Sequence, residues 1–180
     1  LLWEMGSAAV AFSGGVDSVF LLHVAHDILK SNAMAVMIKS AVVPARDFDL
    51  AIQYAEHIGV GLRIIIFDEM KIGHFSQNPP DRCYYCKKAL FSQMLSVSGK
   101  EGFRFVADGS NVDDLGDTRP GMRALRELAV FSPLVEAGFG KNDIRRLSRE
   151  MGLPAWDRPS SACLASRIPY GQEITRAKLK

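Results

Sequence analysis

The chain has 180 residues, 48% hydrophobic and 23% charged, and 22 Lys plus Arg against 20 Asp plus Glu leave a formal charge of +2. This is the composition of a folded domain that buries roughly 70% of its unfolded surface, and it excludes disordered and collagen-like chains. The even charge gives no argument for bulk nucleic-acid binding, which usually shows a concentrated basic face, and no nucleic-acid partner is expected. No membrane partner is expected either: the longest apolar stretches, such as residues 60–67, are short and carry Arg63, whereas a spanning helix needs about 20 apolar residues. The first residues carry no secretory-signal pattern. Three cysteines, an odd count without disulfide-framework spacing, point to a reducing, cytoplasmic setting and to metal or redox chemistry.

In chain order, residues 8–12 are an apolar run that stops at Ser13-Gly14-Gly15. From Asp17 onward Val19, Leu21, Leu22, Ala25, Ile28 and Leu29 recur at helical spacing. A strand, a glycine turn and a helix are expected. Residues 33–38 predict a second strand, and residues 47–58, ending at Gly59, an amphipathic helix. Residues 62–67 are β-branched enough to predict a buried third strand. A loop with Asn78, Pro79 and Pro80 follows, then a helix over 82–98 and a fourth strand over 103–107, ended by Asp108-Gly109-Ser110-Asn111. Residues 123–129 read as a short helix, 131–134 as a short extended piece, and 141–151 as a helix stopped by Gly152 and Pro154. Residues 172–180 hold a helical pattern with no stop, so more chain is expected to follow.

Four short strands alternating with helices predict an α/β fold, a mostly parallel twisted sheet with helices on both faces. Ligands of such sheets sit at the carboxyl ends of the strands. The loops of unusual composition, 13–18, 78–86 and 108–121, all fall at or after those ends.

Ser13-Gly14-Gly15-Val16-Asp17-Ser18 lies between a strand and a helix, where unsatisfied N–H groups and the positive helix end receive an anion. Paired glycines let backbone approach phosphate oxygens. Ser13 and Ser18 have hydroxyls to donate, and Asp17 is suited to hold a magnesium ion on a pyrophosphate. The lysine and spacing of a Walker A loop are absent, and a capped tight turn is the bland alternative. The hexapeptide resembles the SGGxDS signature of the PP-loop ATP pyrophosphatases, which implies ATP and Mg2+ as ligands and an adenylylated intermediate.

Cys83 and Cys86 enclose two residues, the spacing with which two sulfurs on a loop-to-helix junction reach a common ion. Cys163 lies far along the chain among small and polar residues, with Arg158 and Arg167 nearby in sequence, which favours thiolate. Three thiolates leave one corner of a tetrahedral zinc, or one iron of a [4Fe–4S] cluster, open. A buried inert thiol at 163 and a structural zinc completed by His74 are the competing readings.

Five ordered motifs together, Ser13 to Ser18, Asp81-Arg82-Cys83-Tyr84-Tyr85-Cys86-Lys87, Asp108-Gly109-Ser110-Asn111-Val112-Asp113-Asp114, Arg119-Pro120-Gly121 and Ala162-Cys163-Leu164-Ala165-Ser166-Arg167-Ile168-Pro169-Tyr170-Gly171, resemble the LarE family. The resemblance spans nearly the whole chain. It implies an ATP-dependent sulfur transferase that adenylylates a carboxylate of a pyridinium dicarboxylate mononucleotide and converts it to a thiocarboxylate, in nickel-pincer nucleotide biosynthesis. Some members sacrifice the sulfur of one cysteine. Others hold a [4Fe–4S] cluster with three, and the presence of Cys83, Cys86 and Cys163 assigns this chain to that type, with Cys163 and Asp17 as the catalytic residues.

The resemblance further implies roles near nucleotide and magnesium for Asn111, Asp113 and Asp114, phosphate contacts for Arg119 and Arg123, and a bidentate substrate contact for Arg167. It also implies a sulfur donor as partner, a homo-oligomer, and a PP-loop domain over 1–155, with 156–180 leading into a C-terminal domain outside this chain. Phe131 stands where a basic residue is expected in relatives. A tRNA thiolase, an ammonia-using synthetase and a nucleotide-binding module with structural zinc are the alternatives. The first lacks a basic RNA surface here, and the second has no use for the three cysteines.

Overall fold

The computed structural model describes residues 1–116 and 120–179. Four parallel strands, β1 (Ala8–Ala11), β2 (Ala33–Lys39), β3 (Gly61–Ile66) and β4 (Phe105–Ala107), form one sheet in the order β3-β2-β1-β4. The helices between and around them are α1 (Leu2–Met5), α2 (Val16–Leu29), α3 (Ala45–Ile58), α4 (Arg82–Lys100), α5 (Pro120–Glu127), α6 (Pro133–Glu136) and α7 (Lys141–Glu150).

The strands alternate sides, because successive side chains of an extended chain point to opposite faces. Ala8, Val10, Ala35 and Met37 join one core with Val19 and Leu22 of α2, Ala51 and Ala55 of α3 and Ile144 of α7. Ala9, Met34, Val36, Ile38, Ile65 and Val106 join a second core with Phe91 and Met94 of α4 and Leu125 of α5. Helices therefore cover both faces. The alanines of β1 and β2 let α2 lie close to the sheet, and α2 is apolar nearly all round because α7 covers its other side.

Two expectations need correction. The third strand is not buried: it is the sheet edge, where of β3 only Ile65 is buried and Ile66 is 80% exposed. β-Branched composition marks a strand but carries no count of its neighbours. The extended piece at 131–134 shrinks to a single parallel bridge between Phe131 and Ala107, after which Pro133–Glu136 form a helical turn with proline at its start, where a missing N–H costs nothing. Phe131 also meets Phe105 edge to face at 5.0 Å, so its ring helps close the sheet at β4.

The strand order reverses direction at β1, whose successor β2 lies on one side and β4 on the other. That reversal opens a crevice at the carboxyl ends of β1 and β4. Among the described residues, no helix is long and apolar enough to cross a membrane. Leu22→Ala, at a fully buried position between sheet and helices, is expected to lower unfolding free energy by about 2–5 kcal/mol, read as a lower denaturant midpoint with unchanged slope.

Candidate active site

The crevice is floored by the 13–18 loop. Gly14 has φ +73°, and a Cβ there would lie 2.6 Å from Cβ of Ala51 on α3, so only glycine lets the loop turn against α3. Ser18 Oγ donates to the Gly15 carbonyl at 3.0 Å and accepts from Ser13 N at 3.3 Å, and the two hydroxyls lie 3.2 Å apart. The loop is thus braced by its own serines before any anion arrives. Val16 and Ser18 are buried in the first turn of α2, whose N-terminal end faces the crevice.

The loop after β4 closes the other side. A Cβ on Gly109 would sit 3.1 Å from Ser18 N, so the two loops touch backbone to backbone. Asp108 is buried, with its carboxylate accepting from the hydroxyls of Ser110 and, at 2.6 Å, of Ser132. Asn111 accepts from Asp113 N at 3.0 Å and donates Nδ2 to Asp17 Oδ1 at 3.4 Å, so the turn it caps also contacts the 13–18 loop. Asp113 is exposed and accepts from Lys141 N at 2.7 Å, while the Lys141 ammonium is ion-paired to Asp17.

The cysteines converge through Arg82, which is 3% exposed. Its Nη1 donates to Asn78 Oδ1 and, at 2.9 Å, to the Ala165 carbonyl, and its Nη2 lies 3.9 Å from Cys83 Sγ. Asn78, fully buried, donates Nδ2 to the carbonyls of Ile168 at 3.1 Å and Pro169 at 2.8 Å. These bonds tie the start of α4, with Cys83 and Cys86, to the turn that follows Cys163. A small apolar cluster of Val42, Phe75, Ala165, Ile168, Ile174 and Leu179, with Cys86 against it, fills the space behind them.

All three sulfur residues and the phosphate loop line one cavity of about 530 Å³, within the roughly 300–1,000 Å³ range of small-molecule sites. Ser13, Gly15, Asp17 and Ser18 form one end. Cys83, Cys86 and Cys163 belong to the same wall, with Arg82 and Lys87 as cations and Glu69 as a buried carboxyl. Burial, then the negative charge of Glu69, Cys163 and Cys83, pushes the Cys86 thiol up to about 12, against a smaller opposing pull from Arg82. Burial likewise raises Glu69. Among the described residues, no three His, Cys, Asp or Glu side chains converge on a point for a single metal ion. The three thiols line one cavity and repel one another when ionised; soft sulfur donors are the ligand type of zinc and iron–sulfur sites.

Of the residues singled out from the sequence, Ser13, Gly14, Gly15, Val16, Asp17, Ser18 and Asn111 come together at the loop, and Cys83, Cys86 and Cys163 at the facing wall. Others take different partners. Arg167 is exposed, and Arg123 stacks 3.9 Å over the Tyr84 ring. Arg158 spends its charge on Asp47 at 2.7 Å and on the Gly14 carbonyl at 3.5 Å. His74 is exposed and bonded to Gln77 at 3.0 Å. Arg119 lies outside the described residues. The sequence assigns no role to Lys141, Glu69 or Asp47, and Lys87 enters only as the last residue of a motif; charged neighbours such as Arg46, Asp68 and Lys88 make them read as ordinary surface residues, and only the tertiary fold brings them to the crevice.

Four outcomes are expected. Gly14→Ala combines about 1–2 kcal/mol of left-handed backbone cost with an overpacking cost of about 1–3 kcal/mol, and should lower the unfolding midpoint. In metal-free protein at pH 7.5, iodoacetamide should modify exposed Cys163 at least about tenfold faster than Cys86, since the thiolate is the nucleophile. Because the folded Cys86 thiol titrates above the ordinary value, its contribution to stability is complete below that value and is lost as pH rises toward about 12. Metal uptake that removes its proton should strengthen with pH.

No family model matches the chain. It is 40% identical over 177 residues to an uncharacterized protein of Synechocystis, covering 98% of this chain and 66% of that protein. It is 37% identical over 175 residues to the pyridinium-3,5-bisthiocarboxylic acid mononucleotide synthase of Lactiplantibacillus plantarum, covering 97% of this chain and 63% of the synthase. It is 32% identical over 171 residues to an uncharacterized protein of Methanocaldococcus jannaschii, covering 95% and 64%. The chain thus spans just under two thirds of the length of these relatives. With its phosphate loop, its cysteine wall and its similarity to the named synthase along 97% of its length, the chain belongs to the LarE family.

Proposed function

We propose that this chain is the ATP-binding and sulfur-bearing part of an enzyme that turns a carboxylate of a pyridinium dicarboxylate mononucleotide into a thiocarboxylate, in the biosynthesis of the nickel-pincer nucleotide. One observation carries the reading: the phosphate loop and all three cysteines line a single cavity. The identity of the Lactiplantibacillus relative, a pyridinium-3,5-bisthiocarboxylic acid mononucleotide synthase, supports the choice of substrate.

The chemistry divides into two displacements. A substrate carboxylate oxygen attacks the α-phosphorus of ATP, the bond from that phosphorus to the β-phosphate bridge breaks, and pyrophosphate leaves. The acyl adenylate is then attacked at its carboxyl carbon by a sulfur nucleophile of the hydrosulfide class, and AMP leaves carrying the former carboxylate oxygen. The chain's part in the first displacement is electrostatic. Amides of the 13–18 loop and the start of α2 receive the pyrophosphate, and Asp17, flanked by Asn111 and Asp113, holds magnesium. Lys141 trades its ion pair with Asp17 for a phosphate oxygen. Lys87 and Arg82 face the substrate's own anionic groups from the α4 wall.

In the second displacement the cavity keeps the adenylate within reach of the thiol wall, so the intermediate need not leave the protein. A [4Fe–4S] cluster held by Cys83, Cys86 and Cys163 would supply an iron position open to sulfide, so that sulfur is renewed rather than taken from the chain itself. The sulfide comes from a donor partner, and the protein acts as a homo-oligomer.

Asp17→Ala should lower pyrophosphate release at least about a hundredfold. Cys163→Ala should retain pyrophosphate release and lose thiocarboxylate formation, followed by mass spectrometry. Equal loss of both activities in both variants contradicts this division of roles.

A further inference from the structure

Asp47 lies in the first turn of α3, one helical turn before Ala51. Residues four apart share a helix face, and this face looks at the phosphate loop: Ala51 is the side chain against which Gly14 is packed. The two carboxylate oxygens of Asp47 hold different things. Oδ1 accepts from Arg158 Nη2 at 2.7 Å, and Oδ2 accepts from Ser161 Oγ at 2.6 Å, two residues before Cys163. The same guanidinium reaches the Gly14 carbonyl through Nη1 at 3.5 Å and lies 5.9 Å from the Tyr54 ring of α3.

The segment so held has little else to hold it. Pro159, Ser160, Ser161, Ala162 and Cys163 are all exposed, so no apolar burial fixes them. Upstream, Arg145 bonds the carbonyls of Trp156 and Arg158, and downstream Leu164 N donates to the Val42 carbonyl at 2.9 Å. Between those anchors the bond from Asp47 is the tie closest in sequence to Cys163 on its N-terminal side. A second cavity, of about 190 Å³ and lined by Gly14, Asp47, Arg158, Ser161 and Cys163, leaves the segment room to shift.

We propose that Asp47 is a positioning residue for sulfur transfer: its carboxylate fixes the Cys163 segment at a set distance from the phosphate loop, so that the sulfur end of the site is aligned with the adenylate. This rests on the functional reading above. The clamp acts on the second displacement and leaves the first alone, because the 13–18 loop is braced by its own serines and by Ala51. Misplacement of a reacting group by about 1 Å costs about a hundredfold in rate, which sets the scale of the effect.

The test uses anaerobically prepared wild type, Asp47→Ala and Asp47→Asn. Pyrophosphate release is expected to keep its KM for ATP within about twofold and its kcat within about threefold in Asp47→Ala, while thiocarboxylate formation falls about 10- to 100-fold. Asp47→Asn, which keeps a hydrogen-bond acceptor for Ser161, should fall between the two. Amide exchange over residues 158–163 should rise in Asp47→Ala while the interior of α2 stays protected. Parallel loss of both partial reactions with a lower melting temperature would reduce Asp47 to a structural role, and unchanged thiocarboxylate formation would overturn the proposal. Should the wild type make no thiocarboxylate, the functional reading fails; the exchange measurement then decides the clamp, and unchanged exchange at 158–163 rejects it.

Discussion

A buried guanidinium organises the sulfur side of this protein. Removing Arg82 from water is costly unless its donors find partners, and its Nη1 donates to the Asn78 amide oxygen and to the Ala165 carbonyl, the latter from a segment 83 positions away in sequence. Asn78 in turn takes up two carbonyls of the same distant segment. Satisfying one cation therefore brings the start of α4 and the stretch after Cys163 together, and with them the three thiols. The cation also faces those thiols and moderates the rise of the Cys86 thiol, so it is both strut and counter-charge.

The 13–18 loop depends on a different constraint, close backbone approach. The sheet order places the carboxyl ends of β1 and β4 side by side, and the loops leaving them meet at Gly109 and Ser18, while Gly14 meets α3 at Ala51. These contacts admit no side chain. They fix the start of α2 and put it in the cavity that the three cysteines also line. α3 belongs to both halves: it packs the phosphate loop through Ala51 and grips the Cys163 segment through Asp47. The 13–18 loop and the Cys163 segment thereby share one support.

Much of this was legible from residue order. Alternating apolar runs and helical periods locate the four strands and the main helices within a few residues, because burial imposes periods of 2 and 3.6 on any chain that folds this way. The glycine-serine turn and the Cys83, Cys86 spacing are local patterns, so the sequence carries them whole. What it does not carry is pairing across distance. Nothing around Lys141 marks it as the partner of Asp17, since α7 reads as an ordinary surface helix. Arg158 reads as a neighbour of Cys163, yet its charge is taken by Asp47 from the far side of the loop. β3 reads as buried because Ile64, Ile65 and Ile66 are apolar, whereas its place at the edge follows from strand order, which no local window contains.

Iron, acid-labile sulfide and zinc content, measured with the visible spectrum on protein purified and reconstituted without oxygen, tests most directly whether the three thiols act as one set. About four irons and four sulfides per chain, with the broad visible absorption of an iron–sulfur centre and their loss in Cys86→Ser, is the result expected. Stoichiometric zinc without iron, or iron content indifferent to Cys86, would contradict the account.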